Sequence, residues 1–118
     1  MTKTILVVDD SKDMRKLAQD IIITAHPNAT IIYAVDREHA WDVITSVKGK
    51  VDLMICNVGQ SQMTGVELIA KVREKYPDMR TILLSGGIPP KSHKAHAFLK
   101  KPFEITDFLN AVKVNLNP

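Results

Sequence analysis

Cysteine is almost absent: Cys56 is the only one in the 118 residues. It has no partner for an intramolecular disulfide, so nothing calls for an oxidising compartment, and a cytoplasmic setting is expected. Long apolar runs are missing too. The longest, Ile5 to Val8 and Ile21 to Ile23, fall far short of the ~20 residues a membrane span needs, so no membrane segment is expected. No basic and apolar leader precedes Thr4, and a signal peptide is not expected. The five glycines form neither a Walker nor a dinucleotide-binding pattern, which leaves nucleotide enzymology without support. Aromatic residues make up 5% and offer little stacking surface for single-stranded nucleic acid. Neither sign of charge dominates, since 16 Lys and Arg face 13 Asp and Glu for a net +3.

What is present is a core's worth of apolar residues, 45% of the chain, in an amount suited to one domain over residues 1–118. No internal repeat, low-complexity segment or linker interrupts it. Thr4 to Val8 is a β-branched run of the kind that forms a strand covered on both faces. Met14, Leu17, Ala18, Ile21, Ile22 and Ala25 then recur at helical spacing, one apolar face of a helix that Pro27 helps to close. Thr30 to Ala34 reads as a second strand. Ala40, Trp41, Ile44 and Val47 give a second helical stripe that ends at Gly49.

Val51 to Cys56 is predicted as a third strand, followed by a polar loop from Asn57 to Thr64. Val66, Leu68, Ile69 and Val72 mark a third helix that ends near Tyr76-Pro77. Thr81 to Leu84 and Ala97 to Leu99 are predicted as further strands, and a last helix carries Ile105, Phe108, Leu109, Val112 and Leu116. Strands alternating with helices predict parallel β-α-β units, with right-handed crossovers placing helices on both faces of one open sheet. Such three-layer α/β domains gather ligands beyond the carboxyl ends of their strands. Asp9, Asp10, Asn57, Ser85 and Lys101 follow the strands and are expected to converge there.

Two adjacent acids suit a hard divalent cation such as magnesium, while Asp10 or Ser11 alternatively caps the first helix; both roles are compatible. A Ser85 hydroxyl and a Lys101 ammonium in the same crevice suit the oxygens of a phosphoryl group. Pro102 fits a sharp turn after Lys101.

Four segments in this order resemble the receiver domain of bacterial response regulators: Val7-Val8-Asp9-Asp10-Ser11; Asp52 to Asn57 with Met63 and Gly65 after it; Ser85-Gly86; and Phe98 to Phe103. The resemblance spans essentially the whole chain and implies a five-stranded doubly wound sheet of flavodoxin-like order 2-1-3-4-5. It further implies that Asp9, Asp10 and the carbonyl of Gly59 form the magnesium site. Ser85 and Lys101 match the residues that sense a phosphoryl group, and Phe98 matches an aromatic that changes rotamer on switching, although a buried core role suits Phe98 equally. Asn57 matches the position that accepts phosphate from a histidine kinase.

At that position the chain departs from the family. A phosphoryl acceptor needs a carboxylate oxygen, and a carboxamide supplies neither its charge nor a stable product. Asn57 is therefore not expected to be phosphorylated, and any magnesium site would be weak and residual. Gln60-Ser61 replaces the usual Met-Pro, and Thr64 stands where an acid often precedes glycine, which points to a naturally degenerate site. Ser61 and Thr64 have no evident base, and loop or capping roles suit them better than that of a substitute acceptor. Only sixteen positions separate Ser85 from Lys101, and Pro89-Pro90 lies among them, so the helix the family places there is expected to be missing or about one turn long.

Lys91, His93, Lys94, His96, Lys100 and Lys101 concentrate positive charge, but a solvated loop explains them better than a nucleic-acid site. His93 and His96 are spaced like a metal pair, yet no cysteine or second pair joins them. The residues together favour a pseudo-receiver of two-component (phosphorelay) signalling: no enzyme, no required cofactor, and a protein partner such as a histidine kinase, a phosphotransfer protein or another regulator. Phosphorylation by another route and nucleic-acid binding through the basic loop are the alternatives.

Overall fold

Apolar residues at both odd and even positions of Thr4–Val8 demand a cover on each face of the strand, and the computed structural model supplies both. It describes residues 2–57, 62–87 and 92–117, without the side chains of residues 62–64. In chain order the elements are β1 (Thr4–Val8), α1 (Lys12–Ala25), β2 (Thr30–Ala34), α2 (Arg37–Ser46), β3 (Leu53–Asn57), α3 (Gln62–Lys75), β4 (Arg80–Ser85), β5 (Ala97–Lys100) and α4 (Ile105–Leu116). The five strands pair in parallel in the order β2-β1-β3-β4-β5. The expected sheet order is therefore the one found. Gly59, Gln60, Ser61, Pro89, Pro90 and Lys91 lie outside the described residues, as does the side chain of Thr64.

Alternation along the strands sorts the core into two halves. Ile5, Val7, Leu53, Ile55, Ile82 and Leu84 pack with Ile22 of α1 and with Phe108, Val112 and Leu116 of α4. Leu6, Val8, Met54, Cys56 and Leu83 meet Ala40 and Ile44 of α2 and Leu68, Ile69 and Val72 of α3 on the other face. Full burial of each large side chain contributes roughly 1.5–3 kcal/mol, so the central strands hold both helical layers in place. Burial and the nearby Asp9 charge together push the Cys56 thiol up to about 12, which leaves it an inert core residue at neutral pH.

Helix ends follow local chemistry. Ser11 Oγ accepts from the Met14 N–H and Asp36 Oδ1 from the His39 N–H, so Ser11, not Asp10, caps α1. Past α2, Lys48 and Gly49 take left-handed backbone angles, with φ of 57° and 73°. A Cβ at Gly49 would collide with the Tyr76 ring, so glycine is required there twice over. The third helix starts at Gln62, well before the Val66 that opens its apolar stripe, which corrects the loop expected to run to Thr64. A first helical turn needs no buried side chain, and apolar spacing therefore overlooks it.

Among the described residues between β4 and β5 none is helical. Instead, side chains pin the segment. Arg73 of α3 donates to the Lys94 carbonyl at 2.5 Å, and the His96 ring accepts from the buried Thr81 N–H through Nδ1 at 3.0 Å. His93 Nδ1 accepts from the Ala95 N–H at 3.2 Å. Both imidazoles are thus structural, which replaces the metal-pair spacing with two backbone clasps.

Desolvation, followed by the positive charges of Arg73 and Arg80, lowers the His96 pKa from 6.5 to about 4. The unfolded chain therefore binds a proton between these values that the folded chain refuses. Stability held above pH 6.5 is lost as pH falls toward 4. A His96→Ala variant should melt lower than the native protein at pH 7, because the Thr81 N–H loses its acceptor, and should show a shallower decline in acid. Melting midpoints taken across this pH range check both expectations.

Candidate functional site

The carboxyl ends of β1 and β3 and the residue after β5 bring three polar side chains together. Lys101 Nζ donates to Asn57 Oδ1. Asn57 Nδ2 donates in turn to Asp9 Oδ2 at 2.5 Å, and Asp9 Oδ1 accepts from the Ser11 N–H at 3.0 Å. An ammonium can only donate, so it fixes the amide with its oxygen toward Lys101 and its NH2 toward Asp9. Asn57 is the connecting link of a chain that runs from cation to anion. The Arg15 guanidinium ties the same corner to α1 by donating to the Asp9 carbonyl at 2.9 Å. Asp9 is 6% exposed, so these partners offset the desolvation of its carboxylate.

The other expected members lie differently. Asp10 is exposed, and among the described residues no hydrogen bond ties it to the Lys101–Asn57–Asp9 chain. Ser85 is fully buried, and its hydroxyl accepts from the Gly87 N–H at 3.1 Å; it braces the turn after β4. Phe98 is half-buried against the α2–α3 side of the core, with its ring tilted on His93 at 5.9 Å between centroids. Core packing is its visible role. The Lys101–Pro102 peptide is cis. Gly59, the expected carbonyl donor, is outside the described residues.

These residues make a poor fit to magnesium. Hard cations take oxygen ligands, and here the amide at position 57 turns N–H donors toward Asp9 Oδ2, the oxygen that would have to share the ion. Among the described residues no group of three His, Cys, Asp or Glu is arranged to hold a metal.

A second feature escaped the sequence pattern. Met14 and Leu17, on the apolar face of α1, are 43% and 50% exposed, and Ile105 of α4 is 57% exposed. With Pro102 and Phe103 they line an apolar groove of about 350 Å³ that Asp9, Asn57 and Lys101 also line. Periodicity identifies the apolar face of a helix but not what covers it, so α1 buries Ile22 and leaves its first turns open beside the site.

The family model described as response regulator receiver domain matches residues 5–113. The chain belongs to that family. It is 28% identical over 121 aligned positions to the DNA-binding transcriptional regulator NtrC of Azospirillum brasilense, covering 97% of this chain and 24% of that protein. To the sensor kinase CckA of Brucella abortus it is 25% identical over 93% of its own length and 12% of the kinase. The receiver thus spans a quarter or less of these relatives, whose names carry different outputs. Among solved structures, the receiver domain of an HD domain-containing protein from Pseudomonas fluorescens superposes with a TM-score of 0.81 at 26% identity, covering 97% of this chain and 86% of that one. The response regulator TrrA of Thermotoga maritima, solved with Mg(2+)-BeF, gives 0.78 at 27% identity, with 96% and 98% covered. Receiver domains act in two-component signalling, are in general signalling modules without enzymatic activity, bind magnesium, and interact with histidine kinases and other regulators. No helix among the described residues of this receiver is long and apolar enough to cross a membrane.

Proposed function

We propose that this receiver is a pseudo-receiver, a protein-interaction module of a phosphorelay whose state is not set by phosphorylation. The observation that carries the reading is the amide of Asn57 held between Lys101 and Asp9. A phosphoryl group reaches a receiver by attack of a carboxylate oxygen on phosphorus, and the carboxamide offers no comparable nucleophile. Its nitrogen is occupied as a donor and its oxygen faces a cation. Magnesium binding is weak and residual, with Asp9, Asp10 and the Gly59 carbonyl as its oxygens. The partner is a histidine kinase, a phosphotransfer protein or another regulator in the cytoplasm. The basic residues do not favour nucleic acid, because Lys101 turns into the site instead of standing exposed as Lys94 and Lys100 do.

Intact-mass measurement after incubation with a small phosphodonor and magnesium tests the reading. The native chain should keep its mass. A gain of one phosphoryl group, wherever it maps, would show a receiver that still works by another route and would overturn the proposal.

A further inference from the structure

We propose that the groove between α3 and the segment leading into β5 receives an acidic segment of a partner protein. It lies at the amino ends of β4 and β5, the pole opposite Asn57. The inference adds a docking surface to the interaction module described above, and it stands whether or not position 57 takes phosphate.

The lining is rich in donors and positive charge. Ala70, Arg73 and Glu74 of α3 face His93, Lys94 and Ala95 across a groove of about 600 Å³, with Glu74 the one acid among them. His93 Nδ1 accepts from the Ala95 N–H at 3.2 Å, so the neutral ring carries its proton on Nε2 and its remaining nitrogen is a donor. Arg73 donates from Nη1 to the Lys94 carbonyl, which leaves the charge of its guanidinium uncompensated. Lys94 is exposed, and among the described residues no carboxylate lies within ion-pair distance of it, of Arg73 or of Arg80. The ion pairs found lie instead within α1, within α2 and between α2 and α3. Desolvation, and after it the charges of Arg73 and Arg80, holds the neighbouring His96 down at about 4, so the same positive field reaches into the domain.

Size and shape select the occupant. A lone small anion would leave most of this volume to water. A nucleic-acid strand needs cations in a stripe that follows its phosphates, and the patch does not continue along α3. Lys71 and Lys75 are drawn over the Trp41 ring of α2, at 4.1 Å and 5.5 Å from its centroid. Carboxylates on one stretch of polypeptide match a compact set of donors, and the short Ala70 and Ala95 side chains leave room for its backbone. The clasps from Arg73 and within His93–Ala95 fix the receiving backbone in advance, which lowers the ordering cost of binding.

The test is an NMR titration of the isotope-labelled full chain with a synthetic peptide of alternating glutamate and alanine. Amide shifts should centre on Ala70, Arg73, His93, Lys94 and Ala95, and raising the salt from roughly 0.05 to 0.5 M should weaken binding about tenfold. Lys94→Glu removes a charge without touching the backbone clasps and should weaken binding by about tenfold or more. Lys12→Glu, the same change of charge at the start of α1 and the opposite pole, should leave it within about twofold. Equal losses in the two variants would mean diffuse attraction and overturn the groove as the site. Shifts centred on Met14 and Leu17, or no shifts up to millimolar peptide, would overturn it too. Tighter binding of a DNA duplex than of the peptide, lost in Lys94→Glu, would make the partner a nucleic acid and overturn the acidic segment as occupant.

Discussion

An Asn57→Asp variant is expected to gain one phosphoryl group from a small phosphodonor in the presence of magnesium, where the native chain gains none. The substitution exchanges an NH2 for an oxygen at a position already held by its neighbours. The oxygen facing Lys101 keeps its ammonium partner, while the new one faces Asp9 Oδ2, which now accepts from Nδ2 at 2.5 Å. Two carboxylates that close repel each other. At an effective dielectric of 20, like charges ~4 Å apart cost about 4 kcal/mol. A divalent cation relieves this, so the variant should melt below the native protein without magnesium and recover when it is added. Saturation to 100 times the dissociation constant contributes about 2.7 kcal/mol. The native melting midpoint should stay put under the same additions. Intact mass and thermal melts, each with and without magnesium, decide the matter. A variant that neither responds to the ion nor takes phosphate would mean that the loop after β3 has diverged as far as the acceptor position.

Truncating Phe108 should have the largest effect on stability. Its ring is 3% exposed in the α1–α4 half of the core and stacks on Phe103 at 5.8 Å between centroids. Phe108→Ala removes the transfer energy of the ring and leaves a cavity that α1, α4 and the sheet close only in part, a loss of about 3–5 kcal/mol. For a domain of this size that is a large share of the usual ~5–15 kcal/mol. Chemical denaturation should show the loss as a lower midpoint with an unchanged slope. A slope that also changed would indicate that α4 had detached instead of the core having been hollowed.

Much of this architecture is visible in the chain itself. The bounds of β1, β2 and α4 coincide with the expected runs because each has a β-branched strand or a full apolar stripe to mark it. The rule that strand ends converge points to the site residues, and Asp9, Asn57 and Lys101 do meet there. Side-chain commitments were out of reach. The bond that the Ser85 hydroxyl accepts from the Gly87 N–H, for example, has no sequence signal. The His96 clasp on Thr81 and the Arg80 guanidinium on Asn115 join residues 15 and 35 positions apart, with no periodic signature. The exposed face of α1 shows the same limit, since amphipathicity records that a surface is apolar and leaves its neighbour unnamed.

The segment after β4 has a mechanical meaning. A helix there would move as a rod and carry a displacement from the buried site to a distant surface in one piece. The stretch from His93 to His96 is instead fastened at separate points to α3, to β4 and to itself, by Arg73, Thr81 and Ala95. Among the described residues of this segment no rod links Ser85 or Lys101 to that surface, and a push at either meets separate anchors, each of which holds or yields on its own.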